Sequence, residues 1–184
     1  MFVRCISLLA CLALAACIVP PPQDTGQVLP GAFGSWDNDT GAINQASWAF
    51  AVAERTRNDP VDAARAIAAV DYLAGELSGN ARWFALSQVT KQQMLQARVD
   101  VRRVVGIAPN APSQIVVDAL LQFAAAWQFG NQPAALEALA APAFTLPPDQ
   151  TLRILANLPY IQSANLATMY AAQAMFADSS IMPR

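Results

Sequence analysis

Residues 58–79 read NDPVDAARAIAAVDYLAGELSG, and the reading of this stretch decides the fold. Asp59 is a good N-cap, and Pro60 occupies the first helical position, where a missing N–H costs nothing and φ is already helical. Val61, Ala64, Ile67, Ala68, Tyr72 and Leu77 then recur at spacings that one helical flank can bury. The pattern predicts a helix from Pro60 to about Ser78, with Gly79 free to take the left-handed conformation that closes it.

The same punctuation recurs on both sides. Upstream, Ala42 to Arg57 places Ile43, Ala46, Ala49, Phe50 and Ala53 on one flank. Downstream, Thr90-Lys91-Gln92-Gln93 fits a capping box, so a helix is expected to start near Ser87 to Thr90 and to end by Gly106 and Pro109. Pro112 opens a helix to Phe129 closed by Gly130, a short one covers Gln132 to Ala141, another runs from Pro148 to Leu158, and a last one from Tyr160 to Ala177. The β-branched run Gln114-Ile115-Val116-Val117 continues so that Val116, Leu120 and Phe123 keep helical spacing, which favours helix over strand. The expected fold is all-α: a compact bundle of six to seven helices with no sheet, over residues 42–178, followed by a polar tail at 179–184.

Residues 17–41 are rich in Pro, Gly, Asp and Gln and carry no helical or strand period, so they read as a flexible tether, with Phe33 and Trp36 available to pack its last part on the domain. Fully extended, the 24 residues 18–41 would reach roughly 80 Å. What precedes them has three parts: one positive charge at Arg4, an apolar run from Cys5, and the small residues Ala15 and Ala16. This is the layout of a secretory signal. Residues 5–19 are too few to span a bilayer comfortably before Pro20, Pro21 and Pro22.

Leu14-Ala15-Ala16-Cys17 resembles the lipobox of bacterial lipoproteins, and the resemblance covers this segment alone. It implies cleavage after Ala16, a thioether-linked diacylglyceryl group on Cys17, and further acylation of the new amino terminus. Two or three chains hold a protein stably at a membrane, where a single chain holds marginally. Ile18 is not the Asp that commonly retains such proteins in the inner membrane, so the resemblance implies an outer-membrane anchor facing the periplasm. Removing residues 1–16 from 184 leaves 168, the size of one domain. Cys5, Cys11 and Cys17 are the only cysteines, so no disulfide framework is expected.

The chain is 55% apolar and has a net charge of −2, without the concentrated basic face that phosphate backbones require, so no nucleic-acid partner is expected. Charge is uneven: residues 17–79 sum to −5 and residues 82–103 to +4, which makes the two parts complementary. There is no histidine, and the chain has neither a phosphate loop nor a nucleophile elbow nor a calcium loop. No metal and no cofactor is expected.

Carboxylates are what remains for catalysis. Glu76, before a Gly-Asn turn, is the candidate acid or base, with Asp71 or Asp62 as its partner, because two carboxylates in unlike surroundings can divide those roles on a glycan. The bland alternative is a solvated acid near a helix end. For binding, Lys91, Arg98 and Arg102 fall within about 40° of one another on a helix and form a basic ridge suited to phosphate or carboxylate. The competing reading is pairing with the acids of residues 54–76. Trp36, Trp48, Trp83 and Trp127, with Tyr72, Tyr160 and Tyr170, read mainly as core and otherwise as the lining of a ligand groove. The function these features favour is a non-catalytic binding or envelope-assembly module, held to the membrane by its lipid and open to an envelope protein partner. A cell-wall glycan hydrolase or lyase, or a carrier of a small hydrophobic ligand, is the alternative; the oligomeric state stays open.

Overall fold

The computed structural model describes residues 24–179, so the signal segment, Cys17, the first part of the expected tether (residues 18–23) and the residues after 179 lie outside the described part. The described residues form seven α-helices: α1 (Asn38–Ala49), α2 (Pro60–Gly79), α3 (Gln88–Val105), α4 (Ser113–Gln128), α5 (Gln132–Ala138), α6 (Pro148–Ala156) and α7 (Gln162–Ser179). Short 3-10 turns at Ala53–Thr56 and Ala81–Trp83 join α1 to α2 and α2 to α3. Extended pairing is confined to an isolated antiparallel bridge between Ile107 and Phe144. The all-α bundle is as the sequence predicts.

The bundle is built around α2, which packs on α1, α3, α4 and α6. Its start is as expected, since the Asp59 side chain accepts from the N–H groups of Val61 and Asp62. Ala63, Ala64, Ala66, Ala68, Ala69 and Ala74 are all buried, and such small side chains let neighbouring helices approach from every direction. A helix that is buried all round must have its polar groups answered by its neighbours. Gly79 stays helical, and Asn80, in an extended conformation, ends the helix instead.

Boundaries elsewhere follow their caps. Ser87, rather than Thr90, caps α3 by accepting from the Thr90 N–H at 3.1 Å, and Gly106 closes it at φ 73°. The helix begun by Asp37 stops at Ala49, well short of Arg57. Beyond that end the Phe50 carbonyl accepts from the Asn165 side chain of α7, a tertiary contact invisible to periodicity.

The tether is the main correction. Residues 24–36 lie on the domain as a strap rather than as free chain. Asp24 uses its carboxylate to cap α4 by accepting from the Ser113 N–H, because the residue at the cap position, Pro112, has no polar side chain. The Gln114 amide accepts from the Gln27 N–H and donates to the Gln27 carbonyl, which grips the strap on both sides. Further on, Phe33 is buried against Tyr72, with ring centroids 5.7 Å apart. The polar composition that suggests a linker thus supplies the hydrogen bonds that pin it.

The strap crosses α2 at Gly75. A Cβ there would lie 2.5 Å from the Asp24 carbonyl oxygen and 2.7 Å from the Thr25 Cα. In an unobstructed helix Gly→Ala stabilises by about 0.5–1 kcal/mol. Gly75→Ala should reverse that sign and cost about 1–3 kcal/mol through overpacking, with faster proteolysis inside residues 24–36. Gly79→Ala, with nothing within 4 Å, is the matched control and should not lose stability. Urea denaturation and limited proteolysis of the two variants measure the contrast.

Candidate functional site

Two polar clusters occupy the faces of α2, and they separate the residues the sequence had grouped. Asp71 and Glu76 are five positions apart, which places them about 140° apart around the helix. Asp62 is a further problem as a partner, since fourteen positions separate it from Glu76, about 21 Å along the axis. The expected carboxylate pair is therefore not assembled.

Asp71 belongs to the first cluster. It is 1% exposed, and both its oxygens accept from Arg102, Oδ2 from Nε and Oδ1 from the NH2 nitrogen, each at 2.7 Å. The other guanidinium N–H groups donate to the carbonyls of Pro109 (3.0 Å) and Ala111 (2.8 Å) and to Ser113 Oγ (3.2 Å). An arginine has five N–H donors, and all five are used. Arg98 lies one turn away, half-buried, and donates to the Asp24 carbonyl at 2.9 Å and to Ser113 Oγ at 3.3 Å. Burial pulls its pKa down, opposed by the Asp71 charge.

This arrangement follows the pairing reading of the basic segment and not the exposed ridge, since Arg102 meets Asp71, one of the acids of residues 54–76. Lys91 and Arg102 are 7% and 5% exposed, so they face the interior, and Arg98 faces the strap. The three cations share a helix flank, as their spacing requires, but that flank is the inward one. The complementary acid lies on α2, within the −5 segment.

Glu76 belongs to the second cluster, at the C-terminal end of α2. Its centre is Asp39, 4% exposed, which accepts from the Tyr72 hydroxyl at 2.6 Å, from Trp83 Nε1 at 2.9 Å and from an Arg82 N–H at 3.1 Å. Arg82 also forks onto Asp37, at 2.9 and 2.6 Å, and its Cζ lies 5.2 Å from the centroid of the Trp83 ring. Asp37 in turn caps α1 by accepting from the Asp39 N–H and the Thr40 hydroxyl.

The electrostatics follow from these contacts. Arg82, bonded directly to Asp37, holds that carboxyl well below the usual carboxylate range. Burial first, then the hydrogen bond to Asp39, pushes the Tyr72 hydroxyl far above the ordinary tyrosine value. Burial raises the Glu76 carboxyl, and the Asp39 charge adds to it. Asn80 donates to Glu76 Oε1 and partly counters that rise. Asp39 and Arg82 were missed as site residues by sequence reasoning, and Trp83 was read only as a core aromatic, without its bond to Asp39. Asp37 had a legible signal as an N-cap before a helix, whereas the burial of Asp39 depends on α2 lying across α1.

A third feature is an open groove of about 700 Å³ between strap residues 27–32 and α4, with Val28, Leu29, Leu121 and Ala125 as its apolar lining. Arg65, Gln114 and Asp118 supply its polar edge. Of the aromatics expected mainly in the core, Trp83 and Tyr72 are buried, whereas Trp36, Trp48, Tyr160 and Tyr170 are exposed to differing degrees. Among the described residues, no cluster of acidic, cysteine or histidine side chains is arranged to hold a metal ion. No described helix is long and apolar enough to cross a membrane. No protein family, curated protein or solved structure matches this chain.

Two outcomes test this electrostatic account. Arg102→Ala leaves a buried, unpaired Asp71 and should cost about 3–5 kcal/mol, whereas the double change Arg102→Met with Asp71→Leu should recover most of it. A double change as damaging as Arg102→Ala would mean that the pair is not the cause. Glu76 has a folded-state pKa above its unfolded value, so its ionisation opposes folding as pH rises through the folded value. Glu76→Gln should therefore raise the Tm at pH 7, and the gain should vanish as pH falls to about 4, where the carboxyl is protonated in both states. Thermal melts across that range check the sign.

Proposed function

We propose that this chain is a lipid-anchored envelope protein whose helical domain is a non-catalytic binding or assembly module on the periplasmic face of the outer membrane. One observation carries the module reading: the groups able to do chemistry are turned inward and saturated, while large apolar side chains are turned outward. Both Asp71 oxygens and all five Arg102 donors are engaged, and Asp39 has three donors on its two oxygens. Outward lie Leu29, Trp36, Phe84 and Phe129, each more than 80% exposed. Single exposed apolar residues are ordinary, but four side chains of this size at such exposure are the material of contact sites, where aromatic anchors contribute most.

The glycan-enzyme reading keeps one observation in its favour. Glu76 is half-buried, and its carboxyl is raised by burial and by Asp39, as a general acid would require. The second carboxylate of such a pair needs freedom to act on water or substrate, and Asp39 is held by Tyr72, Trp83 and Arg82.

The anchor and the module are tested separately. Cys17→Ser should abolish incorporation of labelled palmitate and leave the precursor uncleaved by the lipoprotein signal peptidase. In-cell crosslinking through photoreactive residues at Leu29 and Phe129 should recover one envelope protein at near-stoichiometric yield. Release of soluble fragments from purified cell wall, lost in Glu76→Gln, would overturn the non-catalytic reading.

A further inference from the structure

The strap limits how far the domain can stand from its anchor. Seven Cα–Cα steps separate Cys17 from Asp24, and at no more than about 3.6 Å each they span at most about 25 Å. Asp24 itself is fixed, with its carboxylate on the Ser113 N–H and its carbonyl accepting from Arg98. The first described residue of the strap is therefore held at one defined place, over Gly75, four residues before the end of α2.

That end of α2 also carries two of the most exposed aromatic side chains. Trp36 and Phe84 are 87% and 86% exposed. Trp36 precedes Asp37 and Phe84 follows Trp83, so the Arg82–Asp37 ion pair, at 2.6 Å, ties the two aromatics to the same end of the molecule. From Gly75 to the close of α2 is about 6 Å, and the turn through Ala81–Trp83 adds roughly 6–8 Å, so both lie within roughly 20 Å of the strap's exit. The reach of the anchor and the offset of the aromatics are thus of the same size.

We propose that this end of the domain seats on the bilayer, with Trp36 and Phe84 in the headgroup layer of the leaflet that holds the Cys17 lipid. The proposal rests on the lipoprotein reading above and adds an orientation to it. Trp is favoured at the membrane–water boundary, where its ring meets acyl chains while its N–H meets water and headgroups. Phe84, 86% exposed, adds apolar area beside it, and Arg82 is already paired with Asp37 and Asp39, so the seating rests on the two aromatic side chains. Phe129, equally exposed, lies at the other end of α4, about 24 Å from Ser113, so it is held away from the surface and free for a protein partner.

The test uses full-length lipidated protein in vesicles of phosphatidylethanolamine and phosphatidylglycerol containing a brominated phosphatidylcholine. Bromine quenches tryptophan at short range. Trp83 is buried, Trp127 packs on Phe123, and Trp48 lies about 15 Å further along α1, so Trp36 should dominate the quenched emission. Trp36→Phe should remove more than half of the quenchable signal, Phe84→Ser should reduce the quenching of Trp36, and Phe129→Ser should leave it unchanged. Asp24→Ala with Gln114→Ala, which frees the strap, should reduce the quenching while the protein stays on the vesicle. Quenching that is the same in the parent and Trp36→Phe, on protein whose N-terminal peptide carries the lipid by mass, overturns the seating and leaves the anchor standing. An unlipidated Cys17 overturns both.

Discussion

The structure depends most on one buried guanidinium. Arg102 joins four parts of the chain at a point: Asp71 on α2, its own helix α3, the carbonyls of Pro109 and Ala111 in the connection to α4, and Ser113 in the first turn of α4. Ser113 then passes the connection on to the strap through Asp24. Removing a guanidinium from water is costly, and Coulomb attraction to one carboxylate alone need not recover that cost. Here every donor finds an acceptor and both carboxylate oxygens are occupied, which is the condition under which a buried ion pair is tolerated. The gain is geometric. Arginine's planar fork fixes the angle between α2 and α3 and the course of the loop that leaves α3.

The second cluster applies the same logic at the end of α2. Asp39 at the start of α1 gathers Tyr72 from α2 together with Arg82 and Trp83 from the turn that follows it. Asp37 then brings the N-terminus of α1 and Arg82 together in an exposed pair, worth little by itself. Two carboxyls at this end of α2 respond to pH in opposite senses. At the exposed centre the lowered carboxyl of Asp37 favours the fold above its unfolded pKa and loses that contribution as pH falls, while the raised carboxyl of Glu76 works in the opposite sense.

Helix punctuation was legible because capping is local. Asp59-Pro60, Ser87 and Gly106 act on N–H and carbonyl groups within a turn of themselves, so the sequence alone places α2 and α3. Charge complementarity made the pairing of Arg102 with an acid of residues 54–76 legible, but the inward turn of the basic flank and the separation of the two carboxylates were not, for a common reason. Helical spacing tells which residues share a flank but not which flank faces inward, and charged side chains ordinarily settle that question by facing water. Arg102 reverses it only because Asp71 stands opposite, thirty-one positions earlier. The second cluster stayed hidden similarly, since Tyr72 meets Asp39 across 33 positions and Trp83 across 44.

The strap shows how composition can mislead about order. Its residues lack a period because no repeating element buries them, and three of them hold it instead through separate long-range contacts: Asp24 by Ser113 at 89 positions, Gln27 by Gln114 at 87, and Phe33 by Tyr72. A chain that forms no secondary structure of its own can still be ordered when its backbone groups are answered by side chains from elsewhere. The consequence is mechanical. If residues 18–41 were free, the reach from Cys17 would be set by some two dozen residues and would vary widely with thermal motion. With the strap seated, only the six residues 18–23 separate Cys17 from the first pinned residue, and the reach between Cys17 and the domain is capped at about 25 Å. The bonds at Asp24 and Gln27, each worth of order 1 kcal/mol, set that limit, and Gly75 permits it by leaving room for the backbone to cross α2.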